Sequence, residues 1–537
     1  MTITPQGQLY LCKTPLENDY KNQLTFSNLT AQLNYFNSVV AHTFDNYTYI
    51  KKDNAVQVGK NIDEIIDCNY LFYRNTGFTN KWYFCFITNM EYVNENCTRI
   101  TFETDCYQTW LFQIQYKPTF VEREHVNDDT IGLHILDEGL QLGEYVCNKK
   151  HQWLHDNDNI YTNSDMVIVI GATAQKDKTA NDGVQTDGIY AGLRFYVFHN
   201  TSAGINVLNN WLQEYARNGI SDAIKCMFML PEFLTTGADR EDHLYAGSNI
   251  VNTRYINHNS GTSLDTTIDL SNNSVDGYVP KNNKLLTYPY SYLLTSNNSG
   301  TDIIYRFEDF YTKDVNNNKT VITPKFRINS CMTPSGSIRL IPEDYKGVAR
   351  NDIEGINMGK FPICNWDTDV YTNWLTQNGL NIGLQVASSA LSTGVGVATG
   401  NPVAVASGIL GVANSLGEIY KESMVPPQSE GNINSGDVIT ASGENDFHFH
   451  CMTIKNTQAK IIDDYFSMYG YKINSVKVPN ITGRNNWNYV KTINCNFDGN
   501  IPQTDLNIIK TMFNNGVTLW HNPSTIYNYS SNNDIIV

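Results

Sequence analysis

The sequence predicts a mainly β protein with a minor helical share. It predicts β-barrel or sandwich domains at the two ends, a β-rich domain inserted between them, and one long hydrophobic helical or loop segment. Three observations lead there. Residues 64–126 are dense in aromatic and β-branched residues, in the runs DCNYLFYRN, KWYFCFITNMEYV and CTRITFETD. Strand patterns return near the C-terminus, broken by short helical ones. Between the ends, Val370 to Gly417 contains no Asp, Glu, Lys or Arg, although charged residues make up 17% of the chain.

Taken in order, residues 1 to about 60 read as short extended pieces joined by polar turns. In the next region Trp82, Phe84 and Phe86 fall on one strand face and Tyr83, Cys85 and Ile87 on the other. A strand apolar on both faces is sandwiched between layers. Asn94-Glu95-Asn96 reads as the hairpin turn that follows it. Residues 127–165 are acidic and irregular. From 166 to 370, short strands such as MVIVIGA and GLRFYVFH alternate with long polar loops, and 205–219 has a helical pattern ending at Gly219. Near the C-terminus, FHFHCMTIK, YKINSVKVPN, NYVKTINCNF and VTLWH read as strands. AKIIDDYFSMYG reads as a helix stopped by Gly470, and TDLNIIKTMFNNG as a helix with Thr504 as N-cap and Gly516 beyond its end. These patterns divide the chain at 1–165, 166–370, 371–425 and 426–537.

The charge-free stretch carries apolar residues at helical spacing on both sides of a turn. Leu380, Leu384 and Leu391 lie in its first half, with Ile382 and Val395 beside them. Val405, Ile409, Val412 and Leu416 follow in the second. Gly400-Asn401-Pro402 separates the halves, because Pro lacks an amide donor and disfavours helix in the residue before it. Each half, at ~1.5 Å per residue, approaches the ~30 Å thickness of a bilayer core. Two readings fit the residues: a buried helical hairpin, and a segment that shields its apolar surface until it meets a membrane. The abundant Gly and Ala allow close helix approach in either setting.

Composition narrows the partners. The net charge of −16 disfavours gripping nucleic acid, since an acidic chain cannot neutralise phosphates. The 33 tyrosines and many asparagines supply polarity without charge, which suits wet interfaces. Eleven cysteines without a CxxC pair read as free thiols of a protein folded in a reducing cytoplasm. The N-terminal residues lack the basic and apolar regions of a secretory signal.

Catalytic patterns fail one by one. GxSxG, HExxH and the phosphate loop are absent, and Gly59-Lys60 is followed by Asn61. His448 and His450 share a strand face, but no third metal ligand lies near, so a solvated face is the reading. Asp156, Asp158 and Asp165 lack the Gly and Glu of a calcium loop. Glu122, Glu124, Asp128 and Asp129 form a charge run that reads as a solvated face. No catalytic residue, metal site or cofactor is expected, and the reading is that of a protein that is not an enzyme.

Several segments resemble the tail knob, or distal tail tube, proteins of small short-tailed bacteriophages with protein-primed genomes. They are NDYKN at 18–22, SNLTAQLNYFNS at 27–38, TFETDCYQTWLF at 101–112 and FVEREHVNDDT at 120–130. DEGLQLGEYV at 137–146, YGYKINSVKVPN at 469–480 and FNNGVTLWH at 513–521 complete the set. The resemblance implies a homohexamer whose end domains, 1–165 and 426–537, build a tube wall, with 166–370 as an outer knob. Double-stranded DNA would pass through the lumen without sequence recognition. The hydrophobic loop, 371–425, would plug the tube and then act on the host membrane. A lower collar or proximal tail protein would be the partner above, and the location the virion tail tip, after assembly in the bacterial cytoplasm. The rival expectations are a receptor-binding or cell-wall-binding tail protein and a wall-degrading tail enzyme.

Overall fold

The computed structural model describes residues 6–45, 47, 53–77, 80–152, 166–172, 185–186, 189–190, 194–199, 201–217, 224–231, 240–243, 249–255, 264–267, 273–298, 300–310, 324–331, 337–359, 363–366 and 446–536. The chain forms two compact units. One comprises Met1–Gly143, Tyr278–Leu285 and Asn456–Val537; the other comprises Glu144–Gly277 and Leu286–Lys455.

The first unit is built on two sheets. Six antiparallel strands run in the order Val40–Asp45, Gly7–Cys12, Tyr70–Asn75, Tyr83–Asn94, Cys97–Thr104, Ala55–Val58. Its central strands bury both faces, as the sequence predicts. Leu71, Tyr73 and Cys85 enter one core with Leu9, Val56 and Ile100, while Tyr70, Phe72, Phe84 and Phe86 enter a second core on the other face. Asn94 pairs with Cys97, so Glu95-Asn96 is the two-residue turn.

The second sheet carries Asn22–Leu24, Val517–Trp520, Trp487–Ile493, Thr119–Glu124 and Tyr471–Lys477 in that order. Its first pair is parallel, aligning Asn22 with Thr518 and Leu24 with Trp520. The two ends of the chain are thus neighbours in one sheet. The Trp520 indole donates to the Asn22 side chain over 3.0 Å. Trp487 and Trp520 join the aromatic core beneath the first sheet.

Helix Leu29–Ser38 bridges the two sheets. Asn28 caps it, accepting from the Ala31 amide at 2.9 Å. Phe36 stacks on Tyr70 with centroids 5.4 Å apart and lies 4.6 Å from Phe84. The sequence reading of residues 1–60 as extended pieces missed this helix, whose buried face is only Gln32 and Phe36. Helices Asn456–Tyr469 and Gln503–Asn515 agree with expectation, and both end at glycines in left-handed conformation, Gly470 at φ 65° and Gly516 at φ 91°. Thr504 is not the cap: Pro502 occupies that position without a side-chain hydrogen bond, and the Thr504 hydroxyl turns to Asp505 at 3.2 Å.

In the second unit, Met166–Ala172 pairs on both sides, with Arg194–His199 and Ile224–Pro231, inside a six-stranded sheet. The helix at Ser202–Arg217 lays Trp211 against Tyr196 and Phe198, at centroid distances of 5.2 and 5.8 Å. A four-stranded sheet places His448–Ile454 between Tyr145–Gln152 and Ser291–Ser296, and Phe449 from it meets Phe326 at 5.1 Å. Within residues 127–165, where the sequence predicts irregular structure, Tyr145–Gln152 is a strand. Cys12, Cys68, Cys106 and Cys495 form no disulfide and are buried.

Phe36→Ala should cost ~3–5 kcal/mol, because it opens a cavity within a ring cluster. Ile66→Ala, at a site 65% exposed, should stay within ~0.5 kcal/mol. Urea denaturation of the two variants checks the contrast.

Candidate functional site

The residues singled out for membrane action, from Leu380 to Leu416, lie outside the described residues, as do Asp156, Asp158 and Asp165. Among the described residues, no helix is long and apolar enough to cross a membrane, and no group of three or more His, Cys, Asp and Glu side chains could hold a metal ion. The His448–His450 face is not simply solvated. His448 is buried beside the Gln152 amide, 3.3 Å from Nδ1, and His450 Nδ1 lies 3.6 Å from Cys147 Sγ.

The charged run after Pro118 departs most from expectation. Strand Thr119–Glu124 carries it into the first unit, where Arg123, Glu124 and His125 are buried. Glu124 accepts the Lys477 ammonium at 2.5 Å and the Asn480 amide at 2.7 Å. Arg123 donates to the Gly470 carbonyl at 2.7 Å and pairs with Glu138. Glu138, its side chain fully enclosed, also holds the Lys284 ammonium and accepts from the Lys472 amide at 2.9 Å. Burial pulls the Lys284 pKa below its ordinary value, and the Glu138 charge opposes that pull.

Two more carboxylates gather the segment 278–285. Asp129 accepts from the Tyr471 hydroxyl at 2.6 Å and the Asn283 amide at 2.8 Å; burial raises its pKa. Asp463, on helix Asn456–Tyr469, accepts from the Tyr278 hydroxyl at 2.6 Å and from the amides of Lys281 and Asn282 at 2.8 and 3.0 Å. Arg484 donates to the carbonyls of Val126 and Asn533, both at 3.1 Å. Most of the partners sit more than a hundred residues away in sequence, so no local pattern could reveal the seam.

The seam fixes the backbone of 127–143, which presents Leu133, Ile135 and Leu136 at the surface. A second apolar feature crosses the neighbouring sheet. Phe120 pairs with Val476 on one side and Ile493 on the other, and this row across three strands is exposed, Val476 by 70%. The strand Tyr471–Lys477 is the last of its sheet. Exposed apolar rows beside an open edge are surfaces that another chain can cover.

Two buried groups set opposite pH responses. Tyr489 donates its amide to His125 Nδ1 at 2.7 Å, which leaves Nε2 to donate to the Ser467 carbonyl at 3.0 Å. Burial, then the Arg484 charge, lowers this imidazole to about 3. Asp105 caps a short helix and accepts from Tyr70 and from the Gln108 amide; burial lifts it to about 7. His125 therefore costs stability as pH falls from its unfolded value of about 6.5 toward about 3. Asp105 costs stability as pH rises from about 4 to about 7. In Asp105→Asn the urea midpoint, relative to the parent chain, should climb between pH 4 and pH 8; a difference that stays constant contradicts a raised Asp105.

A family model described as the C-terminal domain of tail knob protein gp9 of Bacillus phage phi29 matches residues 252–534. A second, described as the N-terminus of the caudoviral major tail protein, matches residues 8–115. The chain is 27% identical to tail knob protein gp9 of Bacillus phage B103, over 97% of both chains. It is 25% identical to the gp9 tail knob proteins of Bacillus phages PZA and phi29, over 98% of each. The structure of the bacteriophage C1 tail knob protein gp12 shares its fold, with a TM-score of 0.63 at 16% identity, covering 99% of this chain and all of that one. With one family model spanning more than half of its length, the chain belongs to the phi29 gp9 tail knob family and is a tail component of a bacteriophage virion.

Proposed function

We propose that this chain assembles as a hexameric ring forming the distal tube and knob of a short tail, and that its role is mechanical rather than catalytic. The observation that carries this reading is the uncovered row Val476–Phe120–Ile493 beside an open strand edge. Closed rings cover such edges and rows by pairing subunits. Support comes also from the match of residues 8–115 to a caudoviral tail protein.

The channel would conduct double-stranded DNA. A net charge of −16 per chain repels phosphates, so the duplex slides rather than sticks. A lower collar or proximal tail protein would supply the attachment above. Residues 371–425 would plug the lumen before infection and enter the host membrane after release, with Gly400-Asn401-Pro402 at the tip and Val405, Ile409, Val412 and Leu416 along the seam of the hairpin. On this reading 1–165 and 426–537 supply the wall and 166–370 the knob.

Negative-stain electron microscopy of the purified chain should show six-fold rings. Val476→Asp, at an exposed position, should leave the unfolding free energy within ~0.5 kcal/mol yet weaken ring formation at least tenfold; intact rings at the same protein concentration would sink the assignment of this face. Ile409→Asp should preserve rings and abolish dye leakage from liposomes, and leakage equal to that of the parent chain would remove the membrane role.

A further inference from the structure

The first unit holds a cleft of about 650 Å³ that neither the charge seam nor the apolar row uses. That volume lies within the ~300–1,000 Å³ of small-ligand clefts. One wall is aromatic. Tyr469 closes helix Asn456–Tyr469 and meets Tyr489 edge to face, at 5.1 Å between centroids. Tyr529 stands beside them, set against Trp487 and Trp520. The other wall is the helix Gln503–Asn515, which lines the cleft with Asn507, Thr511 and Asn515. Spacings of four residues put these three on one helix face.

The polar groups there are under-used. Among the described residues, the hydroxyls of Tyr469 and Tyr489 and the side-chain amide of Asn515 have no hydrogen-bond partner in the protein, and Tyr489 bonds His125 only through its backbone. Asn507 spends its carbonyl oxygen on Gln503 at 2.8 Å, and its amide hydrogens remain. The charged residues of the lining are Asp19 and Lys21, and these pair with each other at 3.0 Å. The lining thus carries a single cation, balanced by its neighbouring carboxylate, and the acidic chain disfavours anionic ligands.

We infer that this cleft binds a neutral saccharide. A pyranose ring offers an apolar C–H face and a rim of hydroxyls that both donate and accept. Tyrosine rings match the face. Side-chain amides and phenols, which also combine donor and acceptor, match the rim. The length of the helix stripe, two turns, suits a short oligosaccharide over a single ring. Gly516 keeps the floor open: a Cβ there would lie 2.2 Å from the Tyr489 hydroxyl. The proposed channel does not depend on this site, and six-fold rings can form whether or not it is occupied.

Saturation-transfer NMR and calorimetry on the full chain, with the β-1,4-linked trimer of N-acetylglucosamine as probe, test the site. Saturable binding is expected, weakened at least tenfold in the double variant Asn515→Ala, Tyr489→Phe with an unchanged thermal midpoint. Thr511→Leu, on the exposed helix face, gives an independent block. Absence of binding up to ~10 mM probe would overturn the inference, since an affinity weaker than that carries under ~3 kcal/mol. So would binding indifferent to both variants, or binding by dispersed chains that assembled rings exclude, because the cleft would then belong to a subunit contact.

Discussion

A carboxylate taken out of water costs several kcal/mol unless opposite charges and donors replace its hydration. Glu138 meets that condition with Arg123, Lys284 and the Lys472 amide, drawn from three separate stretches of chain. Its neighbours Glu124, Asp129 and Asp463 repeat the arrangement with other partners. All four are satisfied only when residues 119–138, 278–285 and 463–484 come together. The specificity of the first unit rests on that requirement more than on its ring clusters, which tolerate exchange of one apolar side chain for another. The seam also explains how a stretch without regular structure, 127–143, holds one conformation on the surface.

Much of the fold was legible where a local pattern had a single physical meaning. Phe84 and Cys85 alternate into opposite cores, so the strand that carries them had to lie inside a layered structure. Gly470 and Gly516 end helices because both take positive φ. Legibility failed where the decisive partner was distant. Helix Leu29–Ser38 buries only Gln32 and Phe36 and is held by Phe36 among rings of the first sheet. Glu124 and Asp129 look like surface charge until Lys477 and Tyr471 are placed against them. Thr504 is a good capping residue two positions too deep, because the helix already starts after Pro502.

For the candidate site the limit was different. The charge-free segment is conspicuous by composition, and its meaning comes from what surrounds it: two ends of the chain that share a sheet, in a family of tail knob proteins. The tyrosine-lined cleft carried no signal at all, since Tyr20, Tyr469, Tyr489 and Tyr529 are scattered among 33 tyrosines. Only the geometry separates a tyrosine that packs from one that waits for a ligand.

The parallel pairing of Asn22–Leu24 with Val517–Trp520 has a consequence for synthesis. Contacts of such long sequence separation form late, because nearly the whole chain must be closed into one loop. The sheet bearing Phe120, Val476 and Ile493 is complete only once residue 520 has left the ribosome. A nascent chain therefore lacks the last strands of this sheet until synthesis is almost finished. In the hexameric ring proposed above, the order of translation would hold back pairing between half-made neighbours until this sheet is finished.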